Sequence, residues 1–277
     1  MVHDPLTSTF CFSEGIGLGT ERKLWDNGVV HWDHVSAGSF AHLSSARTRS
    51  LRRAIDRARA DLQADRVDFA RDGLANRELW RAFPRFRNRC VYLDIETTGL
   101  DPWSHVTLIG LYDAGGLTIL QRGKNLDRFP SLMAKYEFIV SFNGRTFDVP
   151  FLKREFPRWR VTQAHWDLRF ALRNAGHEGG LKDIERRLDL HRPGPLANIS
   201  GEDAPTLWEF HKEGDPDALP ILRRYLAEDV MGLAPLAERA FNLLAAAHPL
   251  EVARLSQSAK PDCDLEYNPR AIRRLLG

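Results

Sequence analysis

Asp94, Glu96, Asp148 and Asp229 are the residues whose types and spacing could do chemistry. They lie in three separated segments, Val91-Tyr92-Leu93-Asp94-Ile95-Glu96-Thr97-Thr98-Gly99, Phe142-Asn143-Gly144-Arg145-Thr146-Phe147-Asp148 and Tyr225-Leu226-Ala227-Glu228-Asp229. Four carboxylates brought together make an all-oxygen cage for hard divalent cations, Mg²⁺ or Mn²⁺, and two such ions can cleave a phosphodiester bond. Tyr225 precedes Asp229 by one helical turn and shares its face, so its hydroxyl can reach the same place. Thr97 and Asn143, beside the first two acids, are candidate nucleic-acid contacts.

Each segment also has a plainer reading. Alternate side chains of a strand share a face, so Tyr92, Asp94 and Glu96 point one way and Val91, Leu93 and Ile95 the other. Two acids in an apolar strand need a compensating cation if buried, or mark a strand end in water. Asp148 opens a helical run, where an acid is often only a cap. Tyr225 can be a half-buried core aromatic. Glu228 falls off the predicted metal face and reads as a solvated acid. Gly232, a turn beyond Asp229, leaves room nearby, and Pro235 is expected to kink the helix or start a new one.

The elements that must position these residues follow from periodicity. Strand-like runs fall at 90–96, 105–112, 116–121, 136–142 and 162–167. Helical runs fall at 126–134, 146–155, 168–175, 180–188 and 216–246, with a short one at 269–275. Three early strands followed by alternating helix and strand predict an α/β fold with a mixed sheet flanked by helices. Before them, residues 1–44 read as turns and small apolar pieces, and 45–64 as a helix buried along Leu51, Ile55, Ala58 and Leu62. The expected organisation is a helical region over 1–84, a catalytic domain over 85–247 and a tail over 248–277.

The 277 residues are 43% hydrophobic, enough to fill a core, and the net charge is only +2. Its distribution is uneven. Residues 1–89 hold 15 basic against 11 acidic residues, and the remainder 24 against 26. A basic front beside an acidic site suits nucleic acid. The three scattered cysteines form no CxxC pair, which argues against structural zinc and a disulfide framework. There is no run of eighteen apolar residues and no signal-peptide pattern, so a cytoplasmic protein without membrane contact is expected.

The three acidic segments, taken in order, resemble the motifs of the DEDD exonuclease superfamily of the ribonuclease H-like fold. Tyr225, four residues before Asp229, fits the tyrosine subclass; the histidine version would need His five residues before Asp229, where Arg224 stands. Trp166-Asp167-Leu168 and Gly179-Gly180-Leu181-Lys182-Asp183-Ile184-Glu185-Arg186-Arg187-Leu188 also resemble a bacterial branch of predicted ribonuclease H-like exonucleases. The resemblance spans about residues 88–245. It implies a 3′–5′ exonuclease acting on single-stranded DNA or RNA ends with two Mg²⁺ or Mn²⁺ ions. Asp94, Glu96 and Asp229 would hold metal, Asp148 would complete the set from the outer shell, and Tyr225 would orient the attacking water. Asp167 is expected to cap the following helix, with a metal contact as the alternative. Lys182 and Arg192 are expected either on the solvated surface or against phosphate.

Glu14-Gly15-Ile16-Gly17-Leu18-Gly19-Thr20-Glu21 reads as a glycine turn opening a helix that ends at Gly28. It resembles the hairpin of a helix-hairpin-helix element, with Gly15 and Gly17 facing a nucleic-acid backbone; a structural turn packed on the Arg-rich helix is the alternative. That helix carries six arginines between residues 47 and 59, of which Arg49 and Arg53 are candidate phosphate contacts. Two other functions stay open: a nucleic-acid-binding protein with an inactive nuclease fold, and a structure-specific endonuclease.

Overall fold

A computed structural model describes residues 1–35, 40, 43–190 and 194–277. Arg192, one of the candidate phosphate contacts, lies outside the described residues, as does part of the region 1–44. The chain carries five strands, β1 (Cys90–Thr97), β2 (Val106–Asp113), β3 (Gly116–Gln121), β4 (Phe138–Ser141) and β5 (Ala164–Asp167). They form one mixed sheet in the order β3-β2-β1-β4-β5. β1–β2 and β2–β3 pair antiparallel, while β1–β4 and β4–β5 pair parallel. The helices are α1 (Leu18–Asp26), α2 (Ser45–Gln63), α3 (Asp68–Gly73), α4 (Phe83–Phe86), α5 (Phe129–Met133), α6 (Asp148–Glu155), α7 (Leu168–Asn174), α8 (Leu181–Arg187), α9 (Asp203–Lys212), α10 (Ala218–Ala246) and α11 (Pro269–Leu276). This is the expected α/β arrangement, a mixed sheet flanked by helices.

The alternation in β1 sorts its two faces. Val91, Leu93 and Ile95 are buried with Phe129, Met133, Phe151 and Leu152 under α5 and α6. The Tyr92 face looks toward α10, so Asp94 and Glu96 face that helix. On this side a continuous core joins the N-terminal region to the sheet, running from Leu6, Trp25, Trp32 and Leu51 through Phe83 to Phe138, Trp166 and Phe241. Phe83 meets Trp166 with ring centroids 5.1 Å apart, and Trp80 meets Phe241 at 5.5 Å. The N-terminal helices are further pinned by a buried charge cluster. The Glu21 carboxylate accepts from Thr9 Oγ1 at 2.7 Å and from the Phe10 N–H at 2.7 Å, and Arg81 Nη1 donates to its other oxygen at 2.9 Å.

Three details go beyond the expected elements. α10 is one helix of 29 residues that continues through Pro235; no new helix starts there. Helix α9 has no counterpart in the expected elements. Gly201 and Pro205 are poor helix formers, yet a proline within the first helical turn blocks no hydrogen bond. Ala204, Leu207 and Trp208, spaced i, i+3 and i+4, supply its buried face. The segment after α10 is held to the body: Asn242 Oδ1 accepts from the Leu255 N–H at 2.8 Å, and Arg224 Nη1 donates to the Cys263 and Leu265 carbonyls at 2.7 and 2.8 Å. Among the described residues, no helix is long and apolar enough to cross a membrane.

Candidate active site

β1 brings Asp94 and Glu96 to one side of the sheet, and the register of β2 decides how near α10 comes. Asp94 lies opposite Gly110. A Cβ placed at Gly110 would stand 3.0 Å from Leu226 Cγ and 3.2 Å from Val230 Cγ1. The bare glycine therefore lets α10 settle onto the sheet beside Asp94, and Asp229 comes down with it. A β-bulge falls between Glu96 and Thr97, at the end of the strand where a local change of direction re-aims side chains.

The result is a convergence of three acids: Asp94, Glu96 and Asp229 each offer a carboxylate oxygen within 4.8 Å of the others. Glu96 and Asp229 are buried, at 6% and 7% exposure, and Asp94 is partly buried. Carboxylates so close repel one another strongly in a partly dry site. Their donor chemistry, oxygen only, suits a hard divalent cation. They open into a cleft of about 640 Å³ lined by Asp94, Glu96, Thr97, Leu100, Tyr225 and Asp229, with Ser200 to Pro205 on the facing wall. Thr97 is buried, its hydroxyl donating to the Gly99 carbonyl at 2.7 Å. Gly99 takes φ +152°, and a Cβ there would meet Ser104 Oγ at 2.9 Å, so glycine is required at this lip of the cleft.

Asp148 stands apart from the three. β1 pairs with β4 only from Cys90 to Tyr92, which leaves the Ile95 N–H outside the ladder. Asp148, the first residue of α6, accepts from it, and its carboxyl is 2% exposed. Burial, with the Asp167 carboxyl nearby, pushes Asp148 up to about 8, while the Ile95 N–H pulls the other way. Asp167 is the N-cap of α7, as expected, and does more. It accepts from the N–H groups of Asn143 (2.8 Å), Arg145 (3.0 Å) and Arg169 (3.1 Å), clamping the turn that delivers Asp148. Asn143 holds that turn at φ +66°, and its side-chain oxygen accepts from Thr146 Oγ1 and Arg169 Nη1.

Tyr225 is 5% exposed, faces the cleft and lies under Lys182, whose Nζ is 4.9 Å from the ring centroid. Lys182 is thus half-buried against the tyrosine, and the solvated-surface reading is corrected. Glu228 does lie off the acidic cluster but is not solvated. It is 4% exposed and paired with Arg224 Nη2 at 2.9 Å and Lys260 Nζ at 2.8 Å. The space beside Gly232 is filled: a Cβ there would stand 2.6 Å from Glu185 Oε1. Phe147, part of the second acidic segment, lines the cleft as well; Leu100 and the wall of Ser200, Gly201, Glu202 and Pro205 were not foreseen, since they carry no motif and only the fold brings them to the acids. In the N-terminal region, Gly17 caps α1, and a Cβ placed at Gly15, whose φ is +77°, would stand 3.5 Å from Arg47 Nε. Arg49 and Arg53 are exposed on α2.

Residues 91–241 match the RNase_H superfamily, a span that contains all four acids and the five strands but for Cys90, the first residue of β1. The chain belongs to that family. The five-stranded mixed sheet is its ribonuclease H-like core. An uncharacterized protein of Methanocaldococcus jannaschii is 31% identical over 155 residues, 50% of this chain and 87% of that protein. Among solved structures, the family B DNA polymerase of Pyrobaculum calidifontis is similar at TM-score 0.46 and 19% identity, over 54% of this chain and 24% of the polymerase. The Nibbler EXO domain of Aedes aegypti is similar at TM-score 0.39 and 14% identity, over 63% of this chain and 87% of that domain.

Proposed function

We propose that this RNase_H superfamily member is a metal-dependent 3′–5′ exonuclease of the tyrosine DEDD subclass, acting on single-stranded DNA or RNA. The observation that carries the reading is the meeting of Asp94, Glu96 and Asp229 within 4.8 Å at the floor of an open cleft with Tyr225 in its wall. The Gly179 to Leu188 segment, which begins α8 and sets Lys182 over Tyr225, supports the bacterial branch of these enzymes. A pair of Mg²⁺ or Mn²⁺ ions held by Asp94, Glu96 and Asp229 would supply Lewis-acid charge at the scissile phosphate and at the leaving 3′ oxygen.

The chain's own groups do the rest. The three carboxylates fix where positive charge gathers, and therefore where the phosphate docks. Asp148 completes the set from behind, held by the Ile95 N–H. The Tyr225 hydroxyl orients the attacking water and acts by position rather than as a general base. The Lys182 ammonium over the ring holds the aromatic plane still. Thr97 and Asn143 flank the acids and contact the strand end. The basic outer face of α2, with Arg49 and Arg53, and the glycine turn at Gly15 and Gly17 add a sequence-independent grip on the backbone.

The test is digestion of end-labelled linear oligomers, DNA and RNA, beside a circular single strand. With Mg²⁺ or Mn²⁺, a 5′ label should give a ladder shortening by single nucleotides, a 3′ label should be released at once, and the circle should persist. Cleavage of the circle would identify an endonuclease. No product with any divalent ion, from folded protein, would leave a binding protein with an inactive site.

A further inference from the structure

A second cleft, of about 290 Å³, lies on the other side of the turn that delivers Asp148. Phe147 lines the carboxylate cleft, while Arg145 and Val149, two residues to either side of it, line this one. Its remaining walls are Arg71, Leu74, Leu79, Lys153, Val161, Gln163 and His165, and no lining residue is acidic.

The cations in it are not equivalent. Arg71 is matched by Asp68 at 2.7 Å and Asp72 at 2.7 Å. Arg145 Nη1 donates only to neutral oxygens, Asn76 Oδ1 at 2.8 Å and the His165 carbonyl at 3.0 Å, which aim the guanidinium without cancelling its charge. The acid behind it, Asp167, feels the Arg145 charge but accepts from three backbone N–H groups rather than from the guanidinium. Lys153 is exposed on α6, one turn from Val149. Two positive side chains, Arg145 aimed by two hydrogen bonds and Lys153 exposed, therefore face a concave site one turn away from the acidic cluster. That is the charge and shape for a phosphate group, and the carboxylate cleft next to it repels one unless cations are present.

We propose that this cleft binds a backbone phosphodiester of the same strand whose end enters the carboxylate cleft, the strand crossing over the Asn143–Phe147 turn. The proposal rests on the nucleic-acid substrate of the reading above and adds to it a second anchoring point, toward the N-terminal region. It makes strand length matter: oligomers too short to cross the turn lose this contact.

The experiment measures binding of a fluorescent single strand of roughly twelve nucleotides, within the span such grooves cover, by anisotropy in EDTA, for wild type, Lys153→Glu, Lys153→Arg and Lys124→Glu. Lys124, exposed just beyond β3 in a separate cleft that also reaches Glu155 and Phe156 at the end of α6, controls for net charge near that helix. Lys153→Glu is expected to weaken binding by about five-fold or more at 0.1 M salt and to lower the log–log salt slope by about 0.7, as for one lost phosphate contact. Lys153→Arg should restore it, and Lys124→Glu should change it less than two-fold. Equal losses at Lys153 and Lys124, or no loss at Lys153, would overturn the proposal. So would a loss confined to a 5′-mononucleotide competitor, because the cleft would then take free phosphate. A wild type that binds no strand would overturn it together with the exonuclease reading. Lys153-dependent binding without any digestion would sink only the latter.

Discussion

Three carboxylates that meet within 4.8 Å are a local conflict, and the residues around them show how the chain tolerates charge out of water. Glu228, one residue before Asp229, has Arg224 and Lys260; Glu21 has Arg81; Asp167 has three N–H groups. Two histidines, one buried and one partly buried, follow a different course. His165, with Nε2 2.7 Å from Ser141 Oγ, is held down to about 3 by burial and then by Arg145. His248, packed edge-on against Trp25 and Trp80, is held down to about 4 by burial and then by Arg81. Both are neutral in the folded chain, while the unfolded chain takes up protons on them below about pH 6.5. Their contribution to stability is therefore complete above pH 6.5 and is lost as pH falls toward 4 and then 3. The Asp148 carboxyl, pushed up to about 8, acts in the opposite sense, adding stability as pH falls from 8 toward the ordinary carboxylate range. Thermal melts across pH 7 to 4 are therefore compared between proteins: the wild-type Tm should fall relative to that of His165→Asn as pH drops, and a constant difference would remove His165 from the account. The acids of the cluster were legible as residues because their spacings, two along a strand and four along a helix from Tyr225, carry geometry. Glu228 and Lys182 were not, because Lys260 and Tyr225, which capture them, lie far away in sequence.

At the scale of elements, the closeness of β2 to α10 sets the site. Gly110 contributes no chemistry, yet a side chain there would enter Leu226 and Val230 and lift the helix that carries Tyr225 and Asp229. Gly110→Val should destabilise the fold by about 1–3 kcal/mol, as overpacking does, and should lower turnover on short strands well beyond that loss of folded protein. Denaturant melts and single-turnover digestion check both; full activity in the folded variant would show that α10 does not set the geometry. The five strands and the long helix were readable from alternation and from the period of 3.6. Helix α9 was hidden by Gly201 and Pro205, and the role of Gly110 by the absence of any sign, within β2, that it would face Asp94. Only pairing register carries that information.

For the whole molecule, one continuous core ties the N-terminal region to the α10 side of the sheet, and the segment after α10 is stitched back through Arg224, Lys260 and Asn242. The basic excess before residue 90 was visible in the sequence, but its attachment to the sheet edge through Phe83, Trp80 and Trp166 rests on contacts between distant segments. That attachment places Arg71 and Asn76 against Arg145, and so makes the second cleft. The molecule thus presents an acidic cleft and a basic one on two sides of a single turn, which is the arrangement expected of a protein that cuts a strand it also grips. The measurement that bears most directly on this is Mn²⁺-dependent nucleotide release from a single-stranded oligomer by wild type and Asp229→Asn, with the Tm of each in EDTA. The account predicts release by the wild type, at least a hundred-fold less by Asp229→Asn, as for loss of a group that acts on the transition state, and an equal or higher Tm for the variant because one repelling charge is gone. Equal release by the two proteins, or none by the wild type, would contradict it.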